Sequence, residues 1–412
     1  MKLKVLLIFI AFACVSSCKG SAPDEAASED ITTDSVSEYG TTVTLAEPFA
    51  TKSASRQPKV LGWPAEKTPM APVGYSVVKF AGGLQNPRWI YVASNGDIFV
   101  SESEANRISL FRDTNADGIA DTKSAFLEGL NRPFGMLILG GYFYVADTDG
   151  LLRYAYKSGD TKISTKGQKI LSLPAGGYNN HWTRNILASP DSSSIYVTVG
   201  SGSNVGENGM EHERRRANIL VINPDGGNER AFAAGLRNPV GLDWEPATGK
   251  LWTAVNERDE LGDQLVPDYI TSVQENGFYG WPYAYWGKNP DPRMKGKRED
   301  LVAESIIPDF ALGAHTASLG LAFSKSNKFQ AGAYVGQHGS WNRSQLVGYK
   351  VLFIPFENGN PIGEYKDFLT GFVADGTNAE VYGRPVGIAF ARQGYMLVAD
   401  DAGNTVWTVM AK

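Results

Sequence analysis

The 412-residue sequence predicts an all-β fold, a six-bladed β-propeller. The first observation is a short pattern that occurs six times, at intervals of roughly 45 to 80 residues: a strand, a turn at Gly, Asp or Asn, and a second strand rich in aromatic and β-branched residues. The second is composition, because 45 glycines and 11% aromatic residues suit a turn-dense core of sheets. The third is the N-terminus, which predicts a lipoprotein signal peptide and a disordered tether ahead of the propeller.

The first residues have the features of an export signal. Met1-Lys-Leu-Lys4 is basic, and the apolar stretch from Val5 to Ala13 is too short to span a bilayer. Small residues then lead directly to Cys18, as in a bacterial lipobox whose cysteine is lipidated. We therefore predict a lipoprotein signal peptide at residues 1–17 and an exported protein, lipid-anchored to a bacterial membrane, in the periplasm or at the cell surface. The alternative is an ordinary secretory signal cleaved near Ser17.

Composition divides the rest of the chain in two. Residues 18–58 are rich in Ser, Thr, Ala, Asp and Glu and predict a flexible tether, and residues 59–412 are predicted to form the propeller. No cysteine follows Cys18, which excludes a disulfide in the mature chain and a covalently attached c-type haem. The formal net charge of −5, without a basic stripe, argues against nucleic acid as a partner. The N-terminal lipid is the only membrane contact that we predict.

The six repeats begin with similar short motifs. In chain order these are Asn86-Pro-Arg88, Arg132-Pro-Phe-Gly135, His181-Trp-Thr-Arg184, Arg237-Asn-Pro-Val-Gly241, Ser318-Leu-Gly320 and Arg384-Pro-Val-Gly387. Because a propeller brings the same position of every blade to one central funnel, residues at these openings are predicted to meet there. His181, Arg237 and Arg384 are the candidates with chemistry.

Arginines recur at or near the strand openings, at Arg184, Arg237, Arg343 and Arg384. Several guanidinium groups in one funnel would repel one another without an anion, and their planar fork suits carboxylates and phosphates. The pattern therefore predicts a polyanionic small molecule in the funnel. The alternative is that these arginines join neighbouring blades through salt bridges to Asp or Glu.

The chain has four histidines, and His181 is the best candidate for a general base. It lies at a strand opening among Asn179, Asn180 and Arg184, and an imidazole near neutral pKa can accept a proton from a hydroxyl group. His212 lies in a charged run and is interpreted as a solvated loop residue.

Several blocks resemble the soluble glucose/sorbosone dehydrogenases. They are Gly235-Leu-Arg237-Asn238-Pro, Asn256-Glu-Arg258-Asp259, Asn276-Gly-Phe-Tyr-Gly280-Trp-Pro282, His338-Gly-Ser-Trp-Asn-Arg343 and Gly383-Arg-Pro-Val-Gly387. The last two are more similar to the L-sorbosone dehydrogenase branch than to the glucose branch. The likeness extends over roughly residues 72 to 412.

The resemblance implies a cofactor, pyrroloquinoline quinone (PQQ), and Ca²⁺ in the funnel. It implies that His181 removes a proton from a sugar, aldose or related alcohol or aldehyde while hydride passes to the quinone. Electrons then leave to an external acceptor, a quinone or a cytochrome. The residues that match cofactor contacts are Arg237, which also has a catalytic role, Asn238 and Arg384, with Arg184, His338 and Arg343 as further candidates.

The metal and one neighbouring position depart from the glucose branch. Calcium is expected at the backbone of Arg258 and at Asp259, where the glucose enzymes have Gly-Pro. Asn180 stands where those enzymes have Asp before the catalytic histidine.

A second calcium candidate follows the EF-hand pattern from Asp113 through Asn115, Asp117 and Asp121. Its twelfth position is Ser124 instead of Glu, and the alternative is a simple turn between two strands of the first blade.

Two other function classes remain open from the sequence. A calcium-dependent propeller lactonase would use the same fold but needs side-chain carboxylates on its metal. A non-catalytic lipoprotein could bind sugars or a protein partner on the propeller face. Binding of the quinone separates the dehydrogenase from both.

Overall fold

The structure, a computed structural model, describes residues 36–412, which form one compact unit. The signal peptide and Cys18 lie outside these residues. Within the described part, no helix is long and apolar enough to cross a membrane.

Six four-stranded antiparallel sheets follow one another along the chain and confirm the predicted propeller. In the order of the ladder, their strands are Pro87–Val92, Ile98–Glu102, Arg107–Arg112 and Thr122–Glu128 in blade 1; Met136–Leu139, Tyr142–Asp147, Gly150–Ala155 and Gln168–Ser172 in blade 2; Ile186–Ala188, Ile195–Val199, Asn218–Ile222 and Arg230–Ala234 in blade 3; Pro239–Trp244, Leu251–Val255, Pro267–Ser272 and Phe310–Ala314 in blade 4; Ser318–Phe323, Gly332–Gln337, Lys350–Glu357 and Lys366–Leu369 in blade 5; and Pro385–Phe390, Met396–Asp400, Thr405–Ala411 and Tyr75–Ala81 in blade 6.

Each repeat opening in the sequence leads into the first, innermost strand of a blade. These inner strands contact one another in sequence around the ring, and blade 6 contacts blade 1. Close approach requires glycine: a Cβ on Gly320 would lie 1.9 Å from the carbonyl oxygen of Val386 in blade 6. A Cβ on Gly241 would meet Leu321 of blade 5 at 2.6 Å. The glycine at these strand openings is therefore a packing requirement of the ring.

The first and last strands of the propeller in chain order meet in blade 6. Its outer strand, Tyr75–Ala81, comes before blade 1 in sequence and pairs antiparallel with the C-terminal strand Thr405–Ala411. The hydrogen bonds of this ladder close the ring without a covalent link. Trp407 of the C-terminal strand is completely buried among aromatic and aliphatic side chains of blades 5 and 6.

Short elements lie between and above the blades. Tyr39–Gly40 extends blade 4, Asn360–Pro361 folds back on blade 5, and Ala284–Tyr285 pairs with Asn289–Pro290. Lys59–Val60 pairs with Glu380–Val381, which also pairs with Val373–Asp375. Between residues 36 and 412, the helical segments are two 3₁₀ turns, Met210–Glu213 and Pro292–Met294, and one α-helix, Glu299–Glu304.

The predicted flexible tether is wrong for its C-terminal part, residues 36–58. We call residues 36–63 the N-terminal strap because they lie against blades 4, 5 and 6 through defined contacts. Tyr39 pairs with Leu312 of blade 4, and Trp63 donates a 2.6 Å hydrogen bond to Asp400 of blade 6. Backbone hydrogen bonds hold much of the strap. They use main-chain groups that nearly every residue type carries, so the polar composition of the strap does not reveal them.

Candidate functional site

A cavity of about 220 Å³ lies at one end of the central channel, and we call it the inner cavity. Five of the six blades, or the loops that join them, contribute to its wall. Its lining comprises Arg88, Asn180, His181, Trp182, Thr183, Asn238, Asn256, Asp259, Ala317, Leu319, His338, Gly339, Trp341 and Arg384. Of the three residues that the repeats predicted to meet, His181 and Arg384 line this cavity, and Arg237 does not. Asn238 and His338, which the family resemblance added, also line it.

His181 is held as a neutral imidazole with one nitrogen available. Its Nδ1 lies 2.9 Å from the carbonyl oxygen of Ser201 and 2.9 Å from the hydroxyl of the same residue, which donates to the Ser203 carbonyl at 2.6 Å. Because a carbonyl only accepts, Nδ1 carries the hydrogen and Nε2 keeps its lone pair. Burial and the neighbouring Arg237 lower the pKa of His181 to about 3. Nε2 can therefore act as a base at neutral pH.

Arg237 lies behind the wall of the inner cavity, where it holds Asp259. Its Nη2 donates to the Asp259 carboxylate at 3.0 Å and to the Asn204 side chain at 2.9 Å. His315 lies 3.2 Å from the other carboxylate oxygen and fixes it from a second side. Although burial alone would raise the pKa of Asp259, the hydrogen bond from His315 and the charge of Arg237 lower it. Asp259 is thus a fixed anion in the wall.

Asn238 presents a buried acceptor without a partner. Its side chain is packed beside His181 over Gly200, where a Cβ would lie 2.3 Å from Asn238 Oδ1 and 2.6 Å from His181 Cβ. No donor among residues 36–412 reaches Oδ1, although Asn238 is only 4% exposed. Since buried polar atoms are normally paired, this oxygen is available for a ligand in the cavity.

The opposite wall contains an ionic cluster from three blades. Asp401 accepts a 2.5 Å hydrogen bond from Arg88, and its two oxygens lie 2.9 and 3.0 Å from His338 Nε2. Burial alone would raise the pKa of Asp401, but the charge of Arg88 and, at low pH where His338 is protonated, the charge of that imidazole hold it far below its usual range. Burial and the charge of Arg384 lower the pKa of His338 to about 4, so this imidazole is also neutral near pH 7.

Arg384 completes the cationic wall. Its Nε and Nη2 donate to the carbonyls of His338 and Gly339 at 2.8 and 2.7 Å, and it forms no ion pair with any described residue. Arg88 and Arg384 therefore face one carboxylate, Asp401, and the Nε of Arg88 is buried without a partner in residues 36–412. This wall carries one excess positive charge and has an open donor, which suits an anionic group.

A larger cavity of about 640 Å³, the outer cavity, opens next to the first. The two share Asn180, Asp259 and Trp341. Tyr178, Glu260 and Lys297 add hydrogen-bonding groups to the outer cavity, and Trp341 is 38% exposed at the boundary. The pair of cavities forms a polar, partly aromatic path to His181.

Besides Arg237, three further arginines predicted at the site lie outside both cavities. Arg184 is completely buried and donates to the carbonyls of Pro174, His181 and Thr183, so it supports the loop that carries His181. Arg343 forms a two-pronged ion pair with Glu38 at 2.9 and 3.0 Å, which is the salt-bridge alternative considered above. The guanidinium of Arg258 is enclosed by Glu257, Asp291 and backbone carbonyls.

Neither calcium candidate is a cluster of acidic side chains. Within residues 36–412, no three His, Cys, Asp or Glu side chains come together in an arrangement that could hold a metal ion. In the loop of blade 1, Asp113 accepts from the backbone of Ala116 and Gly118, and Asp121 accepts from Thr114. The carboxylates thus stabilise the turn between the third and fourth strands of that blade.

Sequence reasoning missed four residues of the site: Arg88, Trp182, Ser201 and Asp401. Arg88 could have been predicted, because it stands at the opening of the first repeat. Its motif begins with Asn, however, and so differs from the openings that begin with arginine. Trp182 was hidden beside His181; its ring lies 5.3 Å from the guanidinium of Arg88 and 3.9 Å from that of Arg132. Ser201 and Asp401 act through contacts distant in sequence, which no local motif marks.

Known proteins have the same architecture. The holo PQQ domain of pyranose dehydrogenase from Coprinopsis cinerea superposes with a TM-score of 0.72 at 21% identity, over 85% of this chain and 98% of that chain. The calcium structure of a carbohydrate-active enzyme of family AA12 from Trichoderma reesei gives a TM-score of 0.72 at 20% identity, over 84% and 97%. At these identities the likeness establishes the six-bladed fold.

Sequence comparison gives the family. An uncharacterized protein of Borreliella burgdorferi is 28% identical over 355 residues, 82% of this chain and 89% of that protein. A PQQ-dependent pyranose dehydrogenase of Coprinopsis cinerea is 23% identical over 402 residues, 82% of this chain and 54% of that protein, so the chain spans about half of its length. The profile described as TrAA12-like matches residues 69–276 and 291–412. The chain therefore belongs to this TrAA12-like family.

Proposed function

We propose that the protein is a PQQ- and calcium-dependent dehydrogenase that oxidises a sugar, with His181 as the general base. The observation that carries the proposal is the imidazole of His181, whose Nδ1 is fixed on Ser201 while Nε2 faces a cavity with a cationic opposite wall. Membership of the family and the dehydrogenase activities of its relatives support the same reaction class.

The residues present fit an anionic cofactor. Arg384 has a free side of its guanidinium, Arg88 Nε is an orphaned donor, and Asn238 Oδ1 is an orphaned acceptor, all at one cavity. A molecule with carboxylates and carbonyl oxygens would satisfy the donors. Calcium would be held by oxygen atoms of the loop at Arg258 and Asp259, because oxygen is its preferred ligand. Asp259 is the anion that the cavity offers for it.

PQQ held in the inner cavity would supply a hydride acceptor for the carbon-bound hydrogen of the substrate, and Ca²⁺ would supply Lewis acidity. His181 Nε2 takes the hydroxyl proton of the same carbon. Arg237 holds Asp259 in place, and His315 orients that carboxylate from the other side. Arg88 and Arg384 compensate negative charge in the inner cavity, while Trp341 and Asn180 border the path by which a sugar enters.

The test is reconstitution. Purified protein is titrated with PQQ in the presence of Ca²⁺, and binding is followed by the quenching of tryptophan fluorescence, because Trp182 and Trp341 border the inner cavity. Reduction of a redox dye is then measured with a panel of sugars and aldehydes. We expect His181→Ala to bind the quinone but to lower kcat by about two to four orders of magnitude.

His212→Ala is the matched control, because His212 is exposed and contacts only Glu211. It should have the activity of the unaltered protein. Full activity of His181→Ala would remove His181 from the mechanism. Hydrolysis of a lactone without quinone would favour the propeller lactonase instead, and absence of quinone binding would favour a non-catalytic binding protein.

The substrate branch and the location are further parts of the proposal. The block from His338 to Arg343 supports a sorbosone-like aldehyde in the substrate panel. Cys18 supports export and lipid anchoring in a bacterial membrane. Cys18→Ser should move the protein from the detergent phase to the aqueous phase; an unchanged partition would contradict the lipid anchor.

A further inference from the structure

The N-terminal strap contacts the site although it lies outside the family match. The match begins at residue 69, and the strap comprises residues 36–63. The loops that the strap contacts are residues 258–263, with Asp259 and Glu260, and residues 338–344, with His338 and Trp341. Together we call them the rim loops, because these four residues line one or both cavities.

The first rim loop is held by two hydrogen bonds to the strap. The backbone N–H of Phe49 donates to the carbonyl of Leu261 at 2.7 Å, and the hydroxyl of Thr51 accepts from the N–H of Asp263 at 2.7 Å. Thr51 also covers Gly262, where a Cβ would lie 3.1 Å from its Oγ1. The chain immediately after Asp259 and Glu260 is therefore fixed from the strap side.

The second rim loop has more extensive contacts with the strap. The N–H of Arg56 donates to the Trp341 carbonyl at 2.7 Å, and its guanidinium donates to the carbonyls of Ser344 at 2.8 Å and Gly376 at 3.0 Å, and to that of Thr377. Glu38 pairs with Arg343 at the other end of the strap. Trp341 is thus held through its own carbonyl, and the two residues that anchor the rest of the loop, Arg343 and Ser344, follow it closely.

Asn342 joins the strap and both loops. Its Nδ2 donates to the Ala54 carbonyl of the strap at 2.8 Å, and its Oδ1 accepts from the N–H of Glu260 at 2.9 Å. Asn342 is 4% exposed, so both hydrogen bonds are shielded from water. A displacement of the strap would therefore reach Glu260 through one side chain.

We propose that the strap is a specificity-determining part of the site, which positions Trp341 and Glu260 against the outer cavity and so sets the affinity for the sugar. This inference rests on the proposed function. The strap lines neither cavity, so Thr51 and Arg56 are positioning residues. Trp341 offers an aromatic face and Glu260 a carboxylate, and both must be held in place to recognise a polar ring.

Thr51→Val, Arg56→Ala and the double variant test the inference. Thr51→Val removes the acceptor for Asp263 at nearly constant volume, and Arg56→Ala removes the guanidinium but keeps the backbone bond to Trp341. The control is Lys59→Ala, also in the strap, whose exposed side chain pairs with Glu380 and not with a rim loop. Arg56→Lys, which keeps one charged donor, should restore part of the effect.

Amide hydrogen exchange of residues 258–263 and 338–344 is measured first, without added quinone. We expect the double variant to exchange at least about tenfold faster there, and Lys59→Ala to exchange like the unaltered protein. With quinone, Ca²⁺ and the best sugar of the panel, we expect KM to rise about fivefold while kcat stays within about twofold. The midpoint of thermal unfolding should match that of Lys59→Ala within a few degrees.

The outcomes separate the two proposals. Exchange rates and KM equal to those of Lys59→Ala would overturn the role of the strap. If kcat and the midpoint of thermal unfolding both fell, that result would also overturn it, since the strap would then only stabilise the fold. Faster exchange of the rim loops in a protein that oxidises no sugar would support positioning by the strap while rejecting the proposed function.

Discussion

A single backbone carbonyl determines the chemistry of His181. By accepting from Nδ1, Ser201 fixes the tautomer and leaves the lone pair of Nε2 in the inner cavity. Burial and nearby Arg237 disfavour the charged form, so the imidazole stays neutral over a wide pH range. A neutral imidazole accepts a proton without first having to lose one. Because it is a weak base, the proton transfer must be coupled to a reaction that removes negative charge from the substrate at the same time.

The pH dependence of activity should reflect this environment. Since the pKa of His181 is lowered from 6.5 to about 3, kcat/KM should show no decline from base protonation between pH 7 and about pH 5. Dye reduction measured over a series of pH values, in protein whose Ser201 is unaltered, checks this. An acidic limb with a midpoint near 6.5 would contradict a desolvated imidazole.

The free energy of unfolding should also depend on pH because of these lowered histidine pKa values. The unfolded chain binds protons at His181 and His338 near pH 6.5, whereas the folded chain binds them only near pH 3 and pH 4. The stability from these two neutral histidines is therefore present above pH 6.5 and is lost as pH falls toward 4. Urea unfolding should show a smaller loss between pH 7 and pH 4 for His181→Gln than for the unaltered protein. Equal slopes would contradict the shift.

Residue types and repeat positions predicted part of the site but not the direction of each side chain. His181, Asn238 and Arg384 line the inner cavity because each stands at a strand opening that faces the axis. Arg343 looked equivalent in sequence, yet Glu38, more than 300 positions earlier, takes its guanidinium. The direction of a long side chain depends on its strongest hydrogen-bonding or ionic partner, and the tertiary structure determines which residue that partner is.

At the scale of elements, the inner strands show why the motif contains glycine. Their backbones approach so closely that the carbonyl of one strand occupies the space of a side chain on the next, as Val386 does for Gly320. A backbone contact cannot be relieved by a rotamer change, so the strands would have to separate.

Gly320→Ala should destabilise the propeller. The added Cβ would stand 1.9 Å from the Val386 oxygen, and we expect a loss of at least about 2 kcal/mol in the free energy of unfolding. Gly176→Ala is the control, because no atom lies within 4 Å of its Cβ position and its φ is not positive. Chemical denaturation of both variants measures the difference. A Gly320 variant as stable as the control would show that the two strands can separate freely.

The strap shows where composition misleads. Its Ser, Thr and Ala residues indicate a solvated tether because they offer little apolar surface. The contacts that hold it are mostly backbone hydrogen bonds and two charged side chains, Glu38 and Arg56. The periodicity of apolar residues predicted the blades well, because packing of side chains between the sheets requires that pattern. The strap is held mainly by those other contacts and has no such pattern in its sequence.

For the molecule as a whole, closure of the ring depends on blade 6. Trp407 contributes the largest buried side chain of the C-terminal strand, packs against Trp63 of the strap with ring centroids 5.0 Å apart, and donates to Asp400 at 3.2 Å. Two distant parts of the chain, the strap and the last two strands of the ring, thus meet at one indole.

Trp407→Ala should lower the free energy of unfolding by about 3–5 kcal/mol, the usual cost of removing a buried aromatic ring. Because the blades contact one another in a ring, the loss should appear in one cooperative transition and not as separate melting of blade 6. Calorimetry measures both. Trp341→Ala, which removes a 38% exposed tryptophan, is the control and should change stability far less. Equal losses in the two variants would contradict the closing role of Trp407.

The ion pair between Arg88 and Asp401 has a consequence for biosynthesis. Its partners are 313 positions apart, so the ribosome makes the guanidinium long before its carboxylate. Until Asp401 is made, the arginine has no native counterion, and the wall on which it stands is incomplete. Capture of any guest that needs this wall must wait for the synthesis of that carboxylate.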